Sequence, residues 1–157
     1  MEDKGLLPLL EAAKRAAVRL VVAGTGPLQA RVQATKGVEF AGSLGPGELA
    51  SLYRSVDALC VPSSISGDGI PRVIAEALSC GTPVIASRRG GIPEAINESC
   101  GVLVESPTVE QLKKALEDRA FLWRERREEV RAASRSFAES VFSVRNADTI
   151  FDTVDNA

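Results

Sequence analysis

The chain contains no histidine, which removes the commonest general base and the commonest metal-ligating ring. Any proton transfer by a histidine must come from elsewhere. Cysteine is scarce as well. Cys60, Cys80 and Cys100 are an odd number without Cys-x-x-Cys spacing, so neither a zinc site nor a disulfide framework is expected. They read as small, part-buried thiols in a reducing compartment.

No sign of charge dominates: 19 basic and 21 acidic residues leave a net charge of −2, with the two signs interspersed. That excludes a nucleic-acid footprint and an acidic tail. No apolar run approaches the roughly 18 residues that a membrane span needs, and the acidic start Met1-Glu-Asp-Lys4 is wrong for a secretory signal. The expectation is a cytoplasmic protein without a transmembrane segment, free or peripheral at a membrane.

What is present is the composition of one globular domain, with 45% apolar and 25% charged residues in 157, enough chain to bury a core. Disorder is excluded on the same grounds. Short β-rich runs, 18–24, 38–42, 57–62, 82–87 and 101–105, alternate with helical patterns over 5–17, 27–36, 47–55, 71–80, 92–97 and from 108 onward. Leu20-Val-Val-Ala23 and Ala58-Leu-Cys-Val61 are continuous apolar runs, as strands covered on both faces require. The alternation predicts a parallel α/β sheet flanked by helices.

After Pro107, Leu116, Trp123, Val130 and Phe137 recur every seven residues in an Arg- and Glu-rich background, the stripe of an amphipathic helix. The mixed charges of 124–129 fit a solvated helix face. A last apolar pattern, Val144, Ile150, Phe151 and Val154, suggests one more helix.

Two stretches invite a ligand. Ala23-Gly-Thr-Gly-Pro-Leu-Gln29 follows a strand, but Gln29 stands where a dinucleotide fingerprint has its third glycine, so a tight turn is the plainer reading beside a cleft-lining one. The run from Asp68 to Pro83 sets two carboxylates, Asp68 and Glu76, around a loop that turns into a helix at Pro71. Such a helix entrance offers free backbone donors to an anion. Each residue also has a duller reading. Glu76 is spaced to pair with Arg72 on a helix face, Asp68 before Gly69 suits a turn, Lys4 is a solvated terminal side chain, and Glu94 suits a helix's first turn.

The order of segments Leu20-Val-Val-Ala-Gly-Thr-Gly-Pro27, Val38-Glu-Phe-Ala-Gly42, Glu48-Leu-Ala-Ser-Leu-Tyr-Arg-Ser-Val-Asp57, Asp68 to Val84, and Gly90-Gly-Ile-Pro-Glu94 resembles the C-terminal, Rossmann-like half of retaining GT-B glycosyltransferases, the group 1, family-4-like set. The resemblance runs from Lys4 to the last helix. Asp68 to Val84 carries it most specifically, as a Glu-x7-Glu motif with its following glycine turn.

The resemblance implies a nucleotide-diphosphate sugar as substrate, with no cofactor, no metal and no covalent nucleophile. It implies that Glu76 holds the ribose hydroxyls and that Asp68 faces the sugar. The backbone of Gly69, Ile70 and Arg72 would approach the sugar and the β-phosphate, Lys4 the diphosphate, and Gly42, Ser43 and Leu44 the base. The Gly24 and Gly26 turn would line the same cleft. Hexosyl transfer with retention, acceptor and leaving group on one face, is the implied reaction.

Three departures bear on turnover. Asp68 is one methylene shorter than the glutamate of the motif, and Pro71 supplies no N–H where glycine is frequent. The strand with the family's diphosphate-binding arginine would precede Lys4. The expectation is thus one domain over 1–157, short of that first strand and of an N-terminal acceptor domain supplied in cis or trans, and inactive alone. The alternative is a nucleotide-sugar-binding or interaction module without turnover.

Overall fold

The computed structural model describes residues 5–64 and 69–143. Five strands, β1 (Leu20–Ala23), β2 (Val38–Gly42), β3 (Leu59–Val61), β4 (Val84–Ser87) and β5 (Gly101–Val104), lie inside the five predicted runs. Between and around them come α1 (Leu6–Arg15), α2 (Gln29–Gln33), α3 (Pro46–Ser55), α4 (Arg72–Ser79), a 3-10 turn (Ile92–Ala95), α5 (Val109–Glu125) and α6 (Arg127–Phe142). Every pairing is parallel.

Three helical expectations are revised. Pro27 does not open α2, because the Gln29 N–H first closes a turn on the Gly26 carbonyl at 3.0 Å. The 92–97 segment is a single 3-10 turn ended by extended backbone at Ile96. The seven-residue stripe is two helices rather than one, interrupted at Arg126, whose φ of −110° and ψ of 34° leave the helical region. The corner is pinned to the chain ahead of β3, where Asp57 accepts from Arg124 at 3.2 Å and from Arg127 at 2.8 Å. The apolar pattern from Val144 lies outside the described residues.

The strand β4 is buried along its whole length and feeds two cores by its alternation. Ile85 packs with Leu9, Ala12, Leu112, Leu116 and Trp123 under α1 and α5. Val84 and Ala86 pack on the other face with Tyr53, Ile74, Ala77, Leu78 and Ala138 from α3, α4 and α6. Completely buried Ile74 and Leu78 each contribute about 1.5–3 kcal/mol of transfer free energy. The helices thus cover both faces of a parallel sheet, as predicted.

Pairing divides the strands into β1-β2 and β3-β4-β5. Each of β1 and β3 has one edge without a strand partner among the described residues. The two parts lie side by side, because Leu20 of β1 and Ala58 and Cys60 at β3 all pack on the α1–α5 core. Gly5 begins α1 with φ of 65°, and a Cβ there would stand 1.8 Å from the Pro62 carbonyl oxygen. The start of α1 therefore sits against the carboxyl end of β3.

Candidate functional site

In a parallel sheet the carboxyl ends of the strands form the rim on which ligands lie. Gly24 to Gly26 follow β1, Gly42 to Leu44 follow β2, Pro62 to Ser64 follow β3, Gly69 to Pro71 open α4, and Arg88 to Gly91 follow β4. Three links draw these loops together. The Gly24 N–H donates to the Gly42 carbonyl at 2.6 Å. The buried Ser87 hydroxyl donates to the Ser63 carbonyl. Gly91 lies against the α4 entrance, where a Cβ would come within 3.2 Å of the Ile70 side chain.

The residues predicted from sequence therefore gather in two groups, one at Gly24 and Gly42, the other at Gly69, Ile70 and the α4 entrance. Gly24 at φ 115° and Gly42 at φ 67° are in backbone conformations that other residues enter at a cost. Ser43 is exposed and Leu44 half-buried beside them. Lys4 and Asp68 lie outside the described residues.

Pro71 is the residue before α4 rather than its first, one position from the expectation, and no side chain caps that end. The Ile74 N–H closes on the Pro71 carbonyl at 2.9 Å. The Arg72 and Val73 amides are without a backbone partner among the described residues, as the first donors of a helix ordinarily are. Arg72 itself is exposed and unpaired there, whereas Arg88 is held by Glu105 at 2.6 Å.

Glu76 is exposed one turn into α4, and its duller reading fails. Instead of pairing with Arg72, its carboxylate accepts from the Tyr53 hydroxyl of α3 at 3.3 Å. Burial first, and then the Glu76 charge, raise the Tyr53 phenol well above its ordinary pKa, so it stays a neutral donor at physiological pH. Sequence reasoning passed over Tyr53, although it is the chain's single tyrosine and sits within the segment 48–57. The thiols read as expected: burial pushes Cys60 up to about 12 and also raises Cys100, which suits packing rather than nucleophilic attack.

A family model described as "Glycosyl transferases group 1" matches residues 1–119, well over half of the chain. The chain belongs to the group 1 glycosyltransferases. Among curated proteins, this glycosyltransferase chain is similar to D-inositol 3-phosphate glycosyltransferase of Saccharomonospora viridis, 36% identical over 113 residues, covering 69% of the chain and 25% of that protein. It is also similar to MMP alpha-(1->4)-mannosyltransferase of Mycolicibacterium hassiacum, 37% identical over 81 residues, 50% of the chain and 19% of that protein. The chain spans about a quarter or less of the length of the curated relatives it matches.

Solved structures agree on the fold. Anabaena HepE in complex with UDP superposes with a TM-score of 0.75 at 21% identity over 100% of this chain and 46% of that one. Sucrose-phosphate synthase of Thermosynechococcus elongatus gives 0.77 at 24% identity over 100% and 44%. The C-terminal domain of the Francisella tularensis glycosyltransferase LpcC gives 0.73 at 24% identity over 92% and 82%. The architecture is the C-terminal, Rossmann-like half of a GT-B glycosyltransferase. Among its described residues no helix is long and apolar enough to cross a membrane.

Proposed function

We propose that residues 1–157 form the donor-binding domain of a retaining hexosyltransferase that uses a nucleotide-diphosphate sugar. The observation that carries this is Glu76, an exposed carboxylate that accepts from the neutral Tyr53 hydroxyl, one turn inside a helix whose entrance amides have no partner among the described residues. A carboxylate accepts from two vicinal hydroxyls at once, and hydrogen bonds to a charged group contribute about 1.5–3 kcal/mol each. In this reading Glu76 holds the ribose, and Gly42, Ser43 and Leu44 meet the base beside the Gly24–Gly26 turn. The Gly69, Ile70 and Arg72 backbone meets the sugar and the β-phosphate.

Asp68 then faces the sugar hydroxyls. Lys4, next to the α1 start that abuts β3, meets the diphosphate, where positive charge stabilises what develops as the glycosidic bond breaks. No resident cofactor or metal is assigned. The D-inositol 3-phosphate and mannosyl relatives and the UDP-bound neighbour support a nucleotide-sugar donor.

The same reading places a further strand between β1 and β3. The crossover rule supports it: β1-β2 and β3-β4-β5 do not pair with each other among the described residues, Leu20 of β1 and Cys60 of β3 both pack on the core that α1 lines, and a parallel connection into β1 through α1 calls for a strand beside it. An N-terminal domain, in cis or in trans, supplies the acceptor wall. Isothermal titration of the folded chain with UDP, GDP and ADP and their sugars tests the donor site. Binding of one nucleotide series is expected, and no binding by any overturns the proposal. A binding module without turnover is the second reading, favoured because the described residues supply a single rim. Sugar transfer restored by an added N-terminal domain would exclude it.

A further inference from the structure

Glu76 is the exposed end of a contact that starts in the core. Tyr53 is only 5% exposed and belongs to the cluster of Ile74, Ala77 and Leu78, while its carbonyl accepts from the buried Thr82 hydroxyl where α4 hands over to β4. Clamped at ring and backbone, the phenol has little freedom, and its hydroxyl emerges at the Glu76 carboxylate, 3.3 Å from Oε2. A free glutamate must lose about 1.5–2 kcal/mol of rotamer freedom to hold a ligand. One held beforehand loses less, and preorganisation of this kind strengthens binding without a new ligand contact.

We propose that Tyr53 is a positioning residue for the donor site, fixing the Glu76 carboxylate so that its remaining lone pairs meet the two ribose hydroxyls. This rests on the donor-site reading above. Tyr53 touches no ligand. It acts through Glu76, so its contribution exists only for ligands whose hydroxyls Glu76 accepts. A ribonucleotide feels the loss of the phenol, and a nucleotide without those hydroxyls does not.

The experiment compares Kd for a ribonucleoside diphosphate, the best binder among UDP, GDP and ADP, with Kd for its 2′,3′-dideoxy analogue, in the wild-type chain and in Tyr53→Phe. The variant keeps the ring and removes the hydroxyl. Loss of one hydrogen bond predicts about tenfold weaker ribonucleotide binding, unchanged dideoxy binding and hence a collapsed ratio. Equal weakening of both ligands would mean a purely structural role and overturn the inference. No nucleotide binding by the wild-type chain overturns the donor-site reading and this one with it, whereas binding with an unchanged ratio overturns this one alone.

A second measurement needs neither ligand nor that variant. Tyr53 is the single tyrosine, so tyrosinate absorbance reads it alone, and Glu76→Gln should move its titration to lower pH by removing the adjacent charge. An unchanged titration would contradict the contact.

Discussion

The two parts of the sheet are built differently. In β3-β4-β5 the middle strand is buried throughout, and residues of α3, α4 and α6 close over it with Ile74, Ala77 and Leu78 fully excluded from solvent. In β1-β2 no strand residue is fully buried, Ala23 is exposed, and α2 buries only Val32. The difference accompanies pairing: among the described residues β4 has strand neighbours on both sides and β1 on one. It also separates tasks. The densely packed part buries Tyr53, whose hydroxyl donates to the exposed Glu76, while the lightly packed part carries the Gly24 and Gly42 turns.

Truncation in the two parts breaks or sharpens the comparison most strongly. Leu78→Ala should cost about 2–5 kcal/mol, whereas Leu20→Ala, at a half-buried β1 position, should cost about 1 kcal/mol. Urea unfolding followed by the single Trp123 reads both, and equal losses would erase the distinction.

Alkaline titration comes next and reads the dense part alone, through Tyr53. A folded-state pKa above the unfolded value stabilises fully below about pH 10 and loses that contribution as pH rises through the folded value. Tyrosinate absorbance should therefore lag its ordinary titration until the chain unfolds, and Tyr53→Phe should show a shallower alkaline decline in stability.

The smallest effects concern ion pairs. Asp57→Asn, removing the acceptor of Arg124 and Arg127, should cost up to about 1 kcal/mol. Glu39→Gln, removing the exposed partner of Arg19 in the β1-β2 part, should cost less, and its effect should vanish in 0.5 M-range salt, on the order of a Debye length of a few ångströms. Thermal melts at two salt concentrations check both.

The strands were legible because burial on both faces writes continuous apolar runs such as 20–23 and 58–61. The positions of Glu76 on a helix and of the glycine turns after β1 and β2 were legible from the ordered segments. Tyr53 was not, because its partner lies 23 residues away and they meet only when α3 packs beside α4. The interruption at Arg126 was hidden for another reason: seven-residue spacing continues across it, although Trp123 enters one core and Phe137 the other. Periodicity records that a face is apolar and is silent on which core receives it.

Amide hydrogen exchange with and without a saturating nucleotide-diphosphate sugar tests the central claim most directly. Without ligand, β1-β2 should exchange faster than β4. With it, protection should rise at 24–26, 42–44 and 69–76, and α5 should be unchanged. Protection confined to other segments, or none at all with the ligand bound, would contradict the assignment of this rim as the donor site.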